Sequence, residues 1–373
     1  MRFFTELLKS YVIPVVWTFV IAIPIMGIQR AIFAGVFIMI GLLIYNFFKK
    51  KSRNNTDAET FSQIKKKLSG IITYGYPGIL AAVIIIPLFL NSYDMDILTS
   101  ALLYSMLALG LNLLVGDMGL LNLGYIAFYG IGAYTYAILA TKLGVGFWIS
   151  IWVGGIASAL IGLIIAIPTL RLKGDYFAIV TLGFGEIIRI ILNNWNSLTN
   201  GPNGIMNIPR PLLFNLSFDS GLNFYYLVLC FLLLQVYLLY RIKKSRFGRY
   251  SVAIRENESA SEMIGLNAYS IKLIFFMVSA FFGGIAGVLF ASKLRFISPD
   301  SFTFIESIYV LAMVILGGMG NIPGVIVGAF ALVVIPELLR SFVVYRMLIF
   351  ALLLITIMLF RPEGLLGKKG YGR

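Results

Sequence analysis

The sequence predicts an all-α, polytopic membrane protein of roughly ten to twelve transmembrane helices, and three observations carry that prediction. Of 373 residues, 60% are hydrophobic and only 12% are charged. A soluble domain carries roughly 25% charged residues, so this chain lacks the charge to cover a water-facing surface. The mean hydropathy is +0.93. Apolar runs of about twenty residues recur from end to end, the length a helix needs to cross a bilayer, and they do not alternate as barrel strands do.

In chain order the candidate spans are 11–28, 31–48, 71–90, 97–115, 124–141, 147–168, 176–192, 223–240, 270–292, 305–318, 322–340 and 345–360. The first follows Arg2 and Lys9 and shows no small-residue cleavage site, so it reads as a retained anchor. Residues 1–67 form an N-terminal hydrophobic hairpin (1–48) and a basic linker (49–67). Residues 68–373 form the core, with a polar loop at 241–269. The linker holds Lys49, Lys50, Lys51, Arg53, Lys65, Lys66 and Lys67 against Asp57 and Glu59, which marks it as cytoplasmic. Alternation then puts 91–96 outside, Arg171 and Lys173 inside, 193–222 outside and 241–269 inside. Both termini fall on the cytoplasmic side. Lys293 and Arg295 are the exception, because they come out external.

Composition also excludes classes. The formal charge is +14, but the basic residues sit in short loops beside spans, which argues for membrane topology and against nucleic acid. There is no His, and Cys230 is the one cysteine. That removes disulfides within the chain, thiolate–imidazole nucleophiles and most zinc or haem sites. Cys230 lies in an apolar run and reads as a small buried hydrophobe. No G-x-x-x-x-G-K-[ST] loop occurs, and "GGMGNIPG" has glycines without the following Lys-Ser. An integral-membrane enzyme would need clustered acids or a His base, so the chain reads as no enzyme and as carrying no cofactor or metal of its own.

Two segments concentrate polar chemistry. In "RYSVAIRENESASEMIGLN" (249–267), Ser259-x-x-Glu262 fits a capping box and Gly265 supplies a stop. Ala260, Met263 and Ile264 fall on one helical face, with Arg255, Glu256, Asn257 and Glu258 before it. Such an element suits docking into a groove on another protein, or lying on the membrane surface. In "GDYFAIVTLGFGEIIRIILNN", a helix from Tyr176 places Glu186 about 15 Å deep, near the bilayer midplane. Arg189 can pair with it at i+3. Two readings stand: a structural ion pair with Gly183 and Gly185 as packing surfaces, or a lining for a translocation path. The glycines around 124–132 and 317–328 likewise suit either tight helix packing or a broken, re-entrant helix.

Four blocks resemble LivM-type permeases, the membrane subunits of ATP-binding-cassette importers for branched-chain amino acids. They are "ALGLNLLVGDMGLLNLGYIAFYGIGAY" (108–134), "LRLKGDYFAIVTLGFGEIIRIILNN…LTNGPNGI" (170–205), "FGRYSVAIRENESASEMIGLNAYSIKLIFFMVSAFFGGIAGVLFA" (247–291) and "VILGGMGNIPGVIVGAF" (314–330). The resemblance implies a translocation path shared with a homologous LivH-type permease in a bacterial plasma membrane. It also implies two separate ATPases (LivG- and LivF-type) that bind the ATP, and an extracytoplasmic substrate-binding protein docked on the 193–222 side. The stretch 249–267 would then insert into a cleft on an ATPase, with residues 251–266 as the cytoplasmic coupling helix. Leu, Ile and Val are the implied substrates. Urea, amides and aromatic acids remain open within the family, and a self-sufficient secondary transporter remains the alternative outside it.

Overall fold

The structure, a computed structural model, describes residues 86–172, 174–213, 216–218, 220–338, 355 and 364–366. The spans at 11–28 and 31–48, the linker 49–67, most of 71–90 and all of 345–360 except Ile355 lie outside these residues. The chain divides into two compact units, Met1–Asn91 with Arg340–Val343, and Ser92–Leu339 with Val344–Arg373. Of the first, a single 3-10 turn, Ile86–Phe89, is described. Everything below concerns the second.

The second unit is a helical bundle. Helix α1 (Ser92–Asn112) continues through a π-helical turn, Leu113–Asp117. Then follow α2 (Ile126–Lys142), α3 (Phe147–Thr169), α4 (Asp175–Asn194) and a one-turn α5 (Asn196–Thr199). A two-strand ribbon, β1 (Leu212–Leu213) against β2 (Leu216–Ser217), precedes α6 (Gly221–Lys244). The polar loop folds as α7 (Arg246–Glu256) and α8 (Glu258–Met263). Helix α9 (Ala268–Leu294) leads to a 3-10 turn (Pro299–Phe302), α10 (Phe304–Gly317) and α11 (Ile322–Leu338). Among the described residues, five stretches are long and apolar enough to cross a membrane: Ser92–Asp117, α3, α6, α9 and Pro299–Gly317. The last shows why 305–318 looked short, since the 3-10 turn completes it.

Helix α2 is the centre. Its sequence is apolar all round, the mark of a helix enclosed by others, and every residue from Ile126 to Tyr134 is buried. It packs against α3 and α9, and α9 packs in turn on α1. The glycines permit that approach: a side chain on Gly132 would run into the Gly284 carbonyl, and one on Gly287 into that of Tyr129. In hydrocarbon there is little hydrophobic drive between helices, so close packing and hydrogen bonds, about 0.6 kcal/mol each, hold them. Here Ser158 Oγ donates to the Phe128 carbonyl (2.9 Å), Tyr125 Oη to that of Ser279 (2.8 Å), Ser279 Oγ to that of Gly110 (2.7 Å) and Gln235 Nε2 to that of Met106 (2.9 Å).

Two expected spans differ from the prediction for physical reasons. Helix α2 has 17 residues and begins part-way along the bundle, after the irregular segment 118–125. The amide of its first residue, Ile126, donates to Ser307 Oγ (3.1 Å), and that of Leu123 in the segment before it donates to Thr181 Oγ1 (3.2 Å). It is therefore a broken helix whose start lies inside the protein, the one place a membrane tolerates free helix ends. Helix α4 has 20 residues but carries Asp175, Glu186 and Arg189, and only Phe177, Ala178, Thr181 and Gly185 are buried.

The elements meet at two ends. At one, Lys243 of α6 reaches the loop between α10 and α11, and Tyr269 of α9 reaches Ile167 of α3. At the other, Trp148 of α3 reaches Leu212, and Lys293 of α9 reaches Asp96 of α1.

Candidate functional site

The polar loop 245–267 forms a helix–break–helix at the first of these ends. Ser245 caps α7, its Oγ accepting from Gly248 N (3.4 Å). Asn257 then leaves helical geometry and caps α8, with Oδ1 accepting from Ala260 N (3.0 Å). This corrects the Ser259 capping box. Asn is at least as strong a cap as Ser and stands two residues earlier, so Ser259 is already inside the helix. Gly265 is the stop that was expected, in left-handed geometry at φ 87°.

The loop has an inner and an outer side. On the inner side Ser261 is buried, and Glu258 is paired with Lys272 of α9 at 2.5 Å. Arg255 also turns inward: its Nη1 donates to the Gly116 carbonyl at 2.6 Å, in the π-helical turn of α1. On the outer side Ala260 is exposed, Met263 is 87% exposed and Ile264 76%. Glu256, Asn257 and Gly265 lie on that side too. Two large apolar side chains held bare on a polar element suit either reading of the sequence, docking on a partner or lying on the membrane surface.

Arg255 belongs to a network the sequence reading missed. Asp117, at the end of the π turn, is 4% exposed and pairs with Lys243 Nζ at 2.9 Å. Lys243 also donates to the Gly320 carbonyl (2.6 Å), and Gly320 N donates to Asn112 Oδ1 (2.8 Å). The network ties α1, α6, α7 and the 318–321 loop into one knot at the end of the bundle that carries α7 and α8. The acid in "LVGDMG" directly after an apolar run was the available signal, but its cation lies on another helix.

On α4, Glu186 and Arg189 form the predicted i,i+3 pair, with Arg189 Nε at 2.9 Å from Glu186 Oε1. Arg189 Nη1 also stands 3.8 Å from Asp300 Oδ1. The pair is part-buried, on a helix whose outer face leaves Tyr176, Ile179, Ile187, Ile190 and Ile191 exposed. The two glycines separate. Gly185 packs against Gly124, where an added Cβ would lie 2.9 Å from Cα, whereas Gly183 has open space beside it. Lys293 and Arg295, the exception to the charge rule, have local work. Lys293 Nζ donates to the Asp96 carbonyl (2.8 Å) and to Ser100 Oγ (2.6 Å), and Arg295 ends α9 in left-handed geometry. Cys230, expected to be buried, lies exposed on the apolar flank of α6.

An apolar bundle around a broken central helix, with a polar two-helix element on one end, defines a polytopic membrane protein of transporter type. Residues 95–358 match the family described as "Branched-chain amino acid transport system / permease component", and the chain belongs to that family. Over 303 residues it is 46% identical to the high-affinity branched-chain amino acid transport system permease protein LivM of Salmonella typhimurium, covering 75% of this chain and 71% of that protein. A probable LivM permease of Methanocaldococcus jannaschii is 28% identical over 292 residues (69% of this chain, 84% of that one). The LivH permease of Salmonella typhimurium is 26% identical over 285 residues (71% and 91%). No solved structure matches the chain.

Proposed function

We propose that this chain is the transmembrane permease subunit of an ATP-binding-cassette importer for branched-chain amino acids. In this reading it forms the translocation path with a homologous permease, receives substrate from an extracytoplasmic binding protein, and is driven by separate ATPases that bind the ATP. The chain itself catalyses nothing and holds no cofactor. The observation that carries the reading is the bare Met263–Ile264 surface of α8, tied to α9 by the Glu258–Lys272 pair and following α7, which Arg255 joins to α1. A surface of that kind, rigidly joined to the spans, suits an element that passes a partner's motion to the bundle. The names of the relatives favour branched-chain amino acids over urea, amides or aromatic acids. The end bearing α7 and α8 is cytoplasmic in this reading, and the open face of α4 meets the second permease or the path.

The test is reconstitution of the full complex in proteoliposomes with ATP on the α8 side. Leucine uptake that needs both ATP and the binding protein is the expected result. Uptake by this chain without ATPases would establish a secondary transporter instead.

A further inference from the structure

Six carboxylates among the described residues share a pattern, each beside a cation: Asp117 with Lys243, Glu186 and Asp300 with Arg189, Glu256 with Arg255, Glu258 with Lys272, and Asp96 with Lys293. Glu306 breaks it. It lies in the apolar Pro299–Gly317 span and makes no ion pair with any described residue; its carboxylate accepts one hydrogen bond, from Tyr104 Oη at 3.0 Å.

Local sequence offers Glu306 a different place. Thr303-x-x-Glu306 is a capping-box pattern at the start of α10, yet Thr303 makes no side-chain cap bond. Glu306 reaches across to α1 instead. Its depth follows from its neighbours. Tyr104 sits near the middle of the Ser92–Asp117 span, and Ser307, the next residue, caps Ile126 at the internal start of α2. Glu306 is thus a half-buried carboxylate well inside the membrane-crossing part of the bundle, with one neutral donor. An ionised group there is expensive without a cation.

The surroundings suit a particular cation. The Tyr104 and Tyr309 rings meet edge-on, 5.7 Å between centroids, beside the carboxylate. The Tyr309 hydroxyl is committed to the Leu332 carbonyl at 2.5 Å, so it gives Glu306 no second donor. Aromatic rings around a carboxylate favour an organic ammonium group. We infer that Glu306 takes the α-ammonium group of the amino acid in transit, with Tyr104 orienting the carboxylate. This rests on the permease reading above.

The test uses the full complex in proteoliposomes, with Glu306→Gln and Tyr104→Phe compared at equal assembly. Glu306→Gln should keep ATPase stimulation by the loaded binding protein and lose about tenfold in leucine turnover, the loss of one charge-assisted hydrogen bond. More ATP is then spent per leucine moved. Tyr104→Phe removes the hydrogen bond but keeps the carboxylate, so it should transport within about threefold of wild type. Equal damage from both variants, or full transport by Glu306→Gln, would overturn the assignment. If Glu306→Gln does not assemble, labelling of Glu306 in the wild-type complex by dicyclohexylcarbodiimide decides. Slower labelling in the presence of leucine and ATP supports the site, and an unchanged rate overturns it. A wild-type complex that moves no leucine would take down the permease reading and this one together.

Discussion

Glu186 shows how a residue-level reading shifts once neighbours are known. The sequence paired it with Arg189, and the pair is present, but Arg189 is shared with Asp300 from the turn before α10. Glu186→Gln therefore leaves the guanidinium one carboxylate, and assembly should survive the single change. Glu186→Gln with Asp300→Asn removes both partners, and the yield of intact complex on size-exclusion chromatography should fall. Glu186→Gln with Arg189→Met restores neutrality and should assemble and carry leucine at matched expression. An intact but inactive double variant would move Glu186 from structural partner to path lining. Cys230 carries the opposite lesson. An apolar run looks the same whether a given side chain meets protein or hydrocarbon, because both solvents are apolar, so the exposed flank of α6 was invisible in the sequence.

At the scale of elements, α7 and α8 act as a lever only if one side is bare and the other is held. Replacing Met263 and Ile264 together with Asp should leave the bundle folded, since both are exposed, and should bury unpaired charge in any partner contact at a cost of several kcal/mol. Loss of co-purifying ATPase with normal permease yield is the expected readout. The held side behaves differently. Asp117→Ala leaves the part-buried Lys243 with the Gly320 carbonyl alone, at a cost below the about 3–5 kcal/mol of a fully buried pair. It should lower the thermal midpoint of the purified complex, and Asp117→Asn with Lys243→Met should recover much of the loss. The Asn257 cap is weaker: Asn257→Ala should cost about 1 kcal/mol, read as faster amide exchange in α8 alone.

For the whole molecule, the alternation of ends makes a labelling prediction. Ser197 in α5 and Ser259 in α8 are both exposed and lie at opposite ends of the bundle. Single cysteines at these positions, in a Cys230→Ser background, should react with an impermeant thiol reagent from opposite sides of the membrane. In intact cells Ser197→Cys should label and Ser259→Cys should not. Ser245 is a poorer probe because it caps α7. Labelling of both from outside would reverse the cytoplasmic assignment of α8.

The sequence by itself determined the class. Apolar runs and missing charge demand a helical bundle in a membrane, and the i,i+3 spacing of Glu186 and Arg189 survives because both partners sit on one helix. The stop at Gly265 was legible for the same reason: it depends on backbone geometry that glycine alone adopts freely. What only the tertiary structure decided involves groups far apart in the chain. The pairing of Asp117 with Lys243, the bond from Arg255 to the Gly116 carbonyl, the capping of α2 by Ser307, and the diversion of Glu306 from its cap to Tyr104 all join separate helices. Even the start of α8 turned on a choice between two good caps, which local preference could not rank. Periodicity tells which residues share a face, but in an apolar solvent it does not say what that face meets. Only packing settles that, because close contact between helices, and not hydrophobic sorting, is what holds the bundle together.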